Sequence, residues 1–438
     1  MSFGMSYPPR SVAGMSSLSA SSSAAADQPE ILHPADAEGV ATAVRRAVDE
    51  GRGLTVRTGG HGFWKPRPAD LTIDLRRLSS IEVGEDSGEG RMVRVGAGAL
   101  WGEVAAALSP HGVAISSGDT ASVGVGGLIV GGGIGLLVRD RGLAIDQLRG
   151  AQLVTADGVV REVSASENAD LFWAIRGGGG NFGVVTRLDF AAAPLDGVLA
   201  GELAVDGDQT ALLRTVRDAL ESAPRALTVT YMDVPAMDPS APAGARLAVT
   251  WAGTDQEALD EALRPIVAVD GVRGEVVRTA YGDALNTMPH DVDEPTPPML
   301  SMNGLFTVLD DDLIERLVAF RRAHAVSVVF LRSLGGAFGD VAEETTAFPA
   351  RSATWFVMAV AFDIPSMLDD AEREAVRSEL AAIAQGRISA YTNFADPASN
   401  PDPRVFYTPE TWTRLRVLKA QWDPQNVFAG NHNIPPAD

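Results

Sequence analysis

The chain has 438 residues, which is enough for two domains, and 45% of them are hydrophobic, so it can bury a large core. Its 57 acidic residues outnumber the 36 basic ones, and the formal net charge of −21 disfavours binding to nucleic acid, anionic membranes or polyanionic substrates. The absence of cysteine excludes disulfides and thiolate chemistry, and no two of the six histidines have metal-ligand spacing, so no metal site is expected.

The N-terminal segment, residues 1–28, is rich in Ser, Ala and Gly. It lacks a basic start followed by an apolar stretch, so we predict a disordered tail rather than a signal peptide. No apolar run in the sequence reaches the ~18 residues that would suggest a membrane span. We therefore expect a soluble, cytoplasmic protein.

Residues 29–194 mix short strands and helices with dense glycine. A helix is predicted after Asp36, because Val40, Val44 and Val48 share one face. The other elements predicted in this region are strands at 54–57, 71–75 and 92–95, a helix at 100–108, a hairpin of strands 151–155 and 159–163, a short helix at 171–173 and a strand at 183–190.

Residues 195–390 lack glycine clusters and alternate strands with helices, which is typical of a second, α/β domain. Its predicted strands are 227–232, 246–251, 325–331 and 353–362, and its predicted helices are 208–222, 256–267, 311–324 and 369–384. Pro-rich stretches at 235–242 and 294–298 are predicted to be loops. Residues 391–438 form a loop-rich last segment with one helix at 408–421.

The first glycine segment is Arg57-Thr58-Gly59-Gly60-His61-Gly62, at the end of a predicted strand. Two adjacent glycines let successive backbone N–H groups converge on an anion, and a pyrophosphate fits that arrangement. An ordinary tight turn explains the same residues when they are taken alone.

The second glycine segment, residues 118–135, is interleaved with Val, Ile and Leu. Flexible linkers are instead rich in Ser and polar residues. Because glycine permits close approach of the backbone to a flat or charged group, we interpret this segment as a buried loop around a ligand.

The third glycine segment, residues 177–183, contains a formal GxGxxG string from Gly178 to Gly183. A nicotinamide-binding fold needs a strand before this string and a helix after it. The predicted order here is the reverse, which argues against a Rossmann site.

Together these segments resemble the FAD-linked oxidases of the berberine-bridge-enzyme type, within the vanillyl-alcohol-oxidase superfamily. The resemblance spans nearly the whole chain after residue 30, and the joint order of its motifs is specific although each motif alone is weak. The matching motifs are RTGGHG (57–62), VGVGGLIVGGGIG (123–135), RGLAIDQL (141–148), LVTADG (153–158), NADLFWAIRGGGGNFGVVT (168–186), YTN (391–393) and KAQWDPQNVFAGNHNIPP (419–436).

The resemblance implies an α+β fold in three parts. A PCMH-type FAD-binding domain of two α+β subdomains would span residues 29–194. An α/β substrate-binding cap domain with an antiparallel sheet would span residues 195–390. Residues 391–438 would return to the FAD-binding domain.

The same resemblance implies FAD bonded covalently to His61 through the 8α-methyl carbon of the flavin. That bond requires a neutral imidazole beside an electron-poor ring. The alternative for a lone histidine is a structural hydrogen bond. The other cofactor-binding residues implied are Arg57, Thr58, Gly59, Gly60, Gly62, Gly118, Thr120, Val123, Gly124, Gly127, Gly132, Gly133, Gly135, Leu143, Asp146, Gly183, Val184, Val185, Asn431 and Asn433.

Two of these positions bear on the chemistry. Many relatives carry, where Thr120 stands, a cysteine that bonds flavin C6, so this cysteine-free chain would have His61 as its only covalent anchor. Val123 matches a position that controls oxygen access, and a small valine accompanies oxidase behaviour. We therefore expect O2 as the acceptor, giving H2O2, with a simple packing valine as the alternative.

The catalytic candidates implied by the YTN motif are Tyr391 and Asn393. A tyrosine pKa near 10 is too high for a base unless a cation lowers it; otherwise the phenol positions the substrate by hydrogen bonding. Strand alternation adds candidates for the cavity lining, each with a core or outer-face position as its alternative. These candidates are Tyr231, Asn303, Arg332 and Trp355.

The sequence thus predicts an FAD-dependent oxidase of an alcohol, amine or reduced ring in a small sugar or natural-product substrate, with hydride transfer to flavin N5. A flavin dehydrogenase with a different acceptor and a non-catalytic flavin-fold binding protein remain the alternatives.

Overall fold

The computed structural model describes residues 30–62, 70–86, 90–235, 244–287, 298–364 and 368–438. The predicted tail, residues 1–28, and most of the two predicted Pro-rich loops, 235–242 and 294–298, lie outside the described residues.

The predicted helices and strands are present to within a few residues of their predicted ends, and the structure adds others that were not predicted. The strands are β1 (Glu30–Leu32), β2 (Leu54–Arg57), β3 (Leu71–Asp74), β4 (Ile81–Asp86), β5 (Arg91–Gly96), β6 (Val113–Ala114), β7 (Leu148–Val154), β8 (Val160–Ser164), β9 (Val184–Pro194), β10 (Val198–Val205), β11 (Leu227–Val234), β12 (Gly244–Ala252), β13 (Val272–Gly274), β14 (Val277–Thr279), β15 (Met299–Phe306), β16 (Ser327–Ser333) and β17 (Trp355–Phe362). The helices are α1 (Ala37–Glu50), α2 (Trp101–Leu108), α3 (Val125–Gly131), α4 (Val138–Arg141), α5 (Ala169–Ile175), α6 (Gln209–Ser222), α7 (Gln256–Val267), α8 (Asp311–Ala323), α9 (Ala337–Asp340), α10 (Asp370–Ile383) and α11 (Pro409–Trp422).

The first part of the chain builds two sheets. The strands β1, β3 and β2 form a parallel sheet in that order, with Glu30 opposite Leu71 and Leu54 opposite Leu71 on its other side. A second, antiparallel sheet has the order β4-β5-β9-β7-β8, and β6 adds to β9. Its β7–β8 hairpin turns at Gly158, whose φ of +70° suits glycine, as predicted from Asp157-Gly158.

The second part builds one antiparallel sheet in the order β13-β10-β12-β11-β16-β17-β15, with β14 also paired to β10. Helices α6, α7, α8 and α10 supply apolar residues to one face of this sheet. Because side chains alternate along a strand, the opposite face carries Phe330, Phe356 and Met358, which pack into the same core as the first part of the chain. The fold is therefore α+β, with an antiparallel cap sheet covering the glycine-rich region.

The last segment returns to the first part of the chain at the third glycine segment. The Asn181 side chain accepts a hydrogen bond from Ile434 N (3.0 Å) and donates one to the His432 carbonyl (3.4 Å). The buried Lys419 ammonium of α11 donates to the Asn181 carbonyl (2.7 Å).

One interpretation of the second glycine segment is wrong. Residues Val125–Gly131 form helix α3 instead of a loop, although glycine disfavours helices by about 1 kcal/mol per residue. Close packing explains why the helix contains glycine, because a Cβ on Gly126 would lie only 3.0 Å from the Ala97 carbonyl oxygen. No helix in the described ranges is long and apolar enough to cross a membrane.

Candidate active site

The first and second glycine segments meet backbone to backbone. A Cβ on Gly59 would lie 2.7 Å from the Ser122 carbonyl oxygen, and a Cβ on Gly124 would lie 2.6 Å from Thr58 Cβ. Both glycines are buried, so neither position has room for a side chain. The two segments therefore form one structural unit.

Beside this buried contact, glycine backbone lies open. Gly62 and Gly127 are exposed and Gly60 is half-buried, and a Cβ on Gly62 would meet nothing within 4 Å. Gly127 belongs to the first turn of α3, where helix N–H groups lack partners within the helix. The first two N–H groups of α3 already donate within the protein, from Val125 to the Ala99 carbonyl (2.9 Å) and from Gly126 to the Ala97 carbonyl (3.0 Å). The open glycine backbone, rather than the helix start, is therefore the surface that suits the pyrophosphate implied by the resemblance.

His61 lies at the junction of the two segments. Its Nε2 is 2.9 Å from the hydroxyl oxygen of Ser122, a residue of the second segment. If Nε2 carries the proton and donates to Ser122, the nucleophilic lone pair of the neutral imidazole is on Nδ1. The contact thus orients the ring.

The Arg57 side chain forms an ion pair within the protein, and its predicted part in cofactor binding stays a prediction. Its Nη2 pairs with the Asp74 carboxylate at 2.7 Å, next to Arg76. Burial opposes ionisation of Asp74, but hydrogen bonds from Arg76 and Arg57 hold its pKa well below its usual range. The ion pair joins the ends of β2 and β3 and fixes the start of the first glycine segment.

Internal contacts also hold in place the end of the second glycine segment and the RGLAIDQL motif. Gly132 and Gly133 have φ values of +125° and +87°. The Asp146 carboxylate accepts the Leu143 N–H (2.8 Å) and pairs with both terminal nitrogens of Arg351 (2.8 and 2.9 Å). The Asp146 side chain therefore ties this motif to the residues before β17, and its predicted part in cofactor binding stays a prediction.

The third glycine segment lies between helix α5 and strand β9, in the order that excludes a Rossmann site. Gly183 has a φ of +156°, and Val184 and Val185 enter the sheet opposite Val154 and Leu153. The three residues predicted here for cofactor binding thus lie at the start of β9.

Tyr391 contacts the second glycine segment directly. Its phenol oxygen accepts hydrogen bonds from the backbone nitrogens of Gly133 (3.0 Å) and Ile134 (3.2 Å) and from Asn393 Nδ2 (2.9 Å). Asn393 Nδ2 also donates to the Leu128 carbonyl of α3 (2.9 Å). Both catalytic candidates of the YTN motif therefore lie against the glycine run 131–134.

The electrostatics do not favour Tyr391 as a base. Burial raises the pKa of Tyr391, the hydrogen bonds from Ile134, Gly133 and Asn393 offset only part of that rise, and the Asp119 charge raises it further. For Tyr391 to act as a base, a cation in the place of the Asp119 carboxylate would have to lower the pKa of its phenol. Tyr391 is thus a neutral hydrogen-bonding group in this structure.

Asn303 of β15 holds the YTN turn in place. Its Oδ1 accepts the Tyr391 N–H (2.7 Å), and its Nδ2 donates to the carbonyls of Tyr391 (3.2 Å) and Phe394 (2.9 Å). The side chain is fully buried. This amide therefore fixes the backbone that carries the Tyr391 phenol.

Asn303→Asp is expected to lower the unfolding midpoint and to slow any turnover that depends on Tyr391. The aspartate can still accept the Tyr391 N–H, but it cannot donate to the carbonyls of Tyr391 and Phe394 as Asn303 Nδ2 does. A buried group left unpaired costs about 1–3 kcal/mol. Thermal unfolding and flavin reduction rates measure the two effects. Ser301→Ala, on the same strand face, is the control, and equal behaviour of the two variants would contradict the assignment.

Cap strand β16 places Arg332 beside the second glycine segment. Its Nη2 pairs with the Asp119 carboxylate (2.7 Å), and its Nε donates to the Thr230 hydroxyl (2.9 Å). Burial alone would raise the pKa of Asp119, but the charge and hydrogen bond of Arg332 keep it below its usual value. The neighbouring Thr120 hydroxyl donates to the same carboxylate (3.0 Å).

Of the four cap residues predicted to line the cavity, Asn303 and Arg332 face the glycine segments. Tyr231 and Trp355 do not, because they pack into the helix-side core of the cap sheet. One step along a strand reverses the face, so the sequence alternation was right and the assigned face was wrong for these two.

Two buried oxygens near the site lack a partner within the described residues: Thr392 Oγ1 and Asn433 Oδ1. Thr392 Oγ1 would lie 2.8 Å from a Cβ on Gly131, so it adjoins the glycine run. Asn431 is exposed, and Asn433 is half-buried. Among the described residues, no group of three or more His, Asp or Glu side chains is arranged to hold a metal ion.

Some residues of the site were missed at the sequence level. Ser122 and Asp119 gave no signal beyond their place in a glycine-rich loop. The rings of Phe356 and Phe394 contact Tyr391, and Phe330 contacts Phe356 in turn. Only the period of two along β16 and β17 marked Phe330 and Phe356. Phe348 lies in a segment without regular structure, where no periodicity applies.

Comparison with known families gives two matches. Residues 29–164 match the family described as an FAD binding domain, and residues 390–435 match the family described as berberine and berberine like. The first match contains the first two glycine segments, and the second contains Tyr391 and Asn393.

Three similar proteins extend the comparison. The FAD-linked oxidoreductase YgaK of Bacillus subtilis, described as uncharacterized, is 30% identical over 381 residues, covering 84% of this chain and 81% of that protein. The structure of 6-hydroxy-D-nicotine oxidase from Arthrobacter nicotinovorans has a TM-score of 0.78 and 25% identity, covering 94% and 93% of the two chains. A glucooligosaccharide oxidase from Acremonium strictum, titled as carrying 6-S-cysteinyl, 8α-N1-histidyl FAD, has a TM-score of 0.79 and 22% identity over 94% and 93%.

Proposed function

The chain belongs to the berberine-like family of FAD-linked oxidoreductases, and on that premise we propose that it is an oxidase whose FAD is bonded covalently to His61 alone. The substrate in this proposal is a small alcohol, amine or reduced ring. The acceptor is O2, which becomes H2O2. The absence of cysteine leaves His61 as the only residue for attachment by the chemistry named for the glucooligosaccharide oxidase.

The contact of His61 Nε2 with Ser122 Oγ at 2.9 Å carries the proposal. It orients the imidazole at the junction of two glycine segments whose open backbone suits a pyrophosphate. A nucleophile has to be oriented toward the atom that it attacks.

The protein's own residues divide the remaining tasks. The chemistry that bound FAD would supply is hydride uptake from the substrate carbon and return of two electrons to O2, which with two protons would give H2O2. Tyr391 and Asn393 hold the glycine run 131–134 in place. Val123, half-buried between Thr120 and Gly124, is the proposed position for oxygen access.

Turnover is expected to consume O2 and release H2O2 in equal amounts. An oxygen electrode and a peroxidase-coupled assay on the holoenzyme, run with the same substrate, measure the two quantities. Substrate-dependent bleaching of the flavin without oxygen uptake would instead identify a dehydrogenase with another acceptor. Val123→Leu is the matched variant, and slower oxygen uptake at an unchanged anaerobic bleaching rate would support the role of Val123.

A further inference from the structure

A cavity of about 490 Å³, here called the junction cavity, lies where the first part of the chain meets the cap. One wall is formed by helix α2 and strand β6, and the opposite wall by residues 280–282, just after β14. Residues 195–197, which link β9 to β10, complete the lining. The volume is in the usual range for a small-molecule site, and such sites are frequent where two domains meet.

The junction cavity is distinct from the candidate active site. None of the residues that line it belongs to the first or second glycine segment or to the YTN motif. The lining residue nearest in sequence to the second segment is Ser117, whose hydroxyl oxygen lies 2.6 Å from the phenol oxygen of Tyr281. Both side chains are buried, so a hydrogen-bonded pair borders the cavity at this end.

The interior of the junction cavity is mainly apolar. Pro110 is exposed and Leu195 is half-buried, and they continue this apolar surface out to the solvent. Moving an apolar group from water onto such a surface is favourable. The inner side chains are Trp101, Val104, Leu108, Val113 and Ile115.

Two exposed side chains of opposite charge, Asp196 and Arg278, also line the junction cavity. Arg278 Nε would lie 3.9 Å from a Cβ on Gly197, and Asp196 Oδ1 would lie 3.5 Å from a Cβ on Gly112. Neither side chain forms an ion pair with another of the described residues. A ligand with one charge would be attracted by one of the two and repelled by the other, whereas a ligand with both charges can satisfy both.

From this lining we propose that the junction cavity binds a hydrophobic α-amino acid. Its side chain lies on the apolar interior, its carboxylate pairs with the Arg278 guanidinium, and its ammonium pairs with the Asp196 carboxylate. A guanidinium can donate two parallel hydrogen bonds to a carboxylate, and an ammonium offers three donors. This second ligand site does not depend on the proposed oxidase function.

The walls of the junction cavity are bonded to the second glycine segment from two sides. At the start of α2, the N–H groups of Trp101 and Gly102 donate to the carbonyls of Val123 (3.0 Å) and Ala121 (2.9 Å). On the cap side, the carbonyl of Asn286 accepts the Ala121 N–H (2.9 Å). The same stretch carries the serine that contacts the candidate attachment histidine. An amino acid in the cavity is therefore expected to change the visible absorption spectrum of the flavin.

The test compares three probes that share one aromatic body and differ in charge. L-Phenylalanine carries both charges, 3-phenylpropionate only the carboxylate, and phenethylamine only the ammonium. Equilibrium dialysis against the holoenzyme, without O2 so that turnover does not consume the probe, measures each Kd. We expect L-phenylalanine to bind about two- to fivefold more tightly than either of the others, which corresponds to one exposed charge pair.

Two single variants remove the charges in turn. Arg278→Gln and Asp196→Asn should each weaken the binding of L-phenylalanine about two- to fivefold. Arg278→Gln should also abolish the preference for L-phenylalanine over phenethylamine, which has no carboxylate. The matched controls are Arg273→Gln and Asp206→Asn, because these exposed residues pair with each other outside the cavity lining. Both controls should bind L-phenylalanine as the wild type does.

A third variant, Ala280→Trp, places a large side chain on the half-buried wall of the junction cavity. It should weaken the binding of L-phenylalanine at least tenfold and remove its effect on the flavin spectrum. Circular dichroism and the unfolding temperature check that the variant is folded.

Three results would overturn the inference. The first is that L-phenylalanine does not bind, or binds no more tightly than both single-charge probes. The second is that Arg278→Gln and Asp196→Asn bind it as tightly as their controls do. The third is that L-phenylalanine bleaches the flavin and binds equally well to folded Ala280→Trp, which would assign it to the flavin site as a substrate. That third result would leave the proposed oxidase function standing.

Discussion

His61→Ala is expected to yield a folded protein that releases all of its flavin when it is denatured. The wild type should keep its flavin through acid precipitation and fluoresce on a denaturing gel, because a covalent bond survives unfolding. The substituted loop residue is half-buried, so the free energy of unfolding should change by no more than about 1 kcal/mol. Circular dichroism checks the fold, and supernatant absorbance measures the released flavin.

Ser122→Ala tests the same attachment and is expected to slow it rather than to abolish it. The histidine remains, but its ring loses the hydroxyl 2.9 Å from Nε2. One hydrogen bond of ~0.5–1.5 kcal/mol corresponds to an attachment rate about two- to tenfold lower. The rate is followed by incubating apoprotein with FAD and sampling the acid-stable flavin over time. An attachment rate equal to that of the wild type would show that Ser122 does not assist the attachment of FAD.

The control for both variants is His111→Ala. His111 is exposed at the end of a short 3-10 turn after α2, away from the glycine segments, so its loss should leave flavin retention unchanged. Acid-stable flavin in His61→Ala would show that another residue forms the bond. Complete release from the wild type would contradict covalent attachment altogether.

Local patterns predicted most of the fold because they depend on neighbours in the sequence. The α1 helix followed from its Val40–Val44 spacing and the Asp36 cap, whose side chain accepts the Gly39 N–H (2.8 Å). The strand β2 and the β7–β8 hairpin followed from alternation and turn residues. Helix α3 was missed because its glycines meet residues distant in the sequence, such as Ala97 at Gly126 and Asn393 at Gly131, and no local pattern shows such contacts.

The candidate site was predictable only where a motif concentrates its residues. His61, Tyr391 and Asn393 could be named because they belong to short motifs in a fixed order. Asn303 lies 88 positions from Tyr391, and Arg351 lies 205 positions from Asp146, so each pair exists only after the cap sheet has formed. Such long-range polar contacts leave no periodicity in a single sequence.

Lys419→Met is expected to destabilise the protein by about 3–5 kcal/mol, the usual cost of removing one partner of a buried ion pair. Lys419 and Asp423 are both fully buried, 2.7 Å apart, one turn from each other in and just after α11. The ammonium also donates to the carbonyls of Asn181 (2.7 Å) and Phe428 (2.9 Å). Burial lowers the pKa of Lys419, and Asp423 opposes that shift.

The identity of this residue supports a specific geometric role. Lys65 and Lys419 are the only lysines in a chain with 36 basic residues. An ammonium places three donors around one atom, which suits three acceptors converging from Asn181, Asp423 and Phe428, whereas a guanidinium is larger and planar. Lys419→Arg should therefore not restore the stability of the wild type.

The double variant Lys419→Met/Asp423→Asn separates a lost charge pair from lost packing. Asp423 also accepts the backbone N–H groups of Val427 (2.8 Å) and Phe428 (2.9 Å), and an asparagine oxygen can keep one of these bonds. If the unpaired carboxylate causes most of the loss in Lys419→Met, the double variant should be more stable than the single one. Thermal unfolding, with the exposed Gln421→Met on the same helix as control, measures the difference. A double variant that is less stable than Lys419→Met would assign the loss to packing of the tail against the third glycine segment instead.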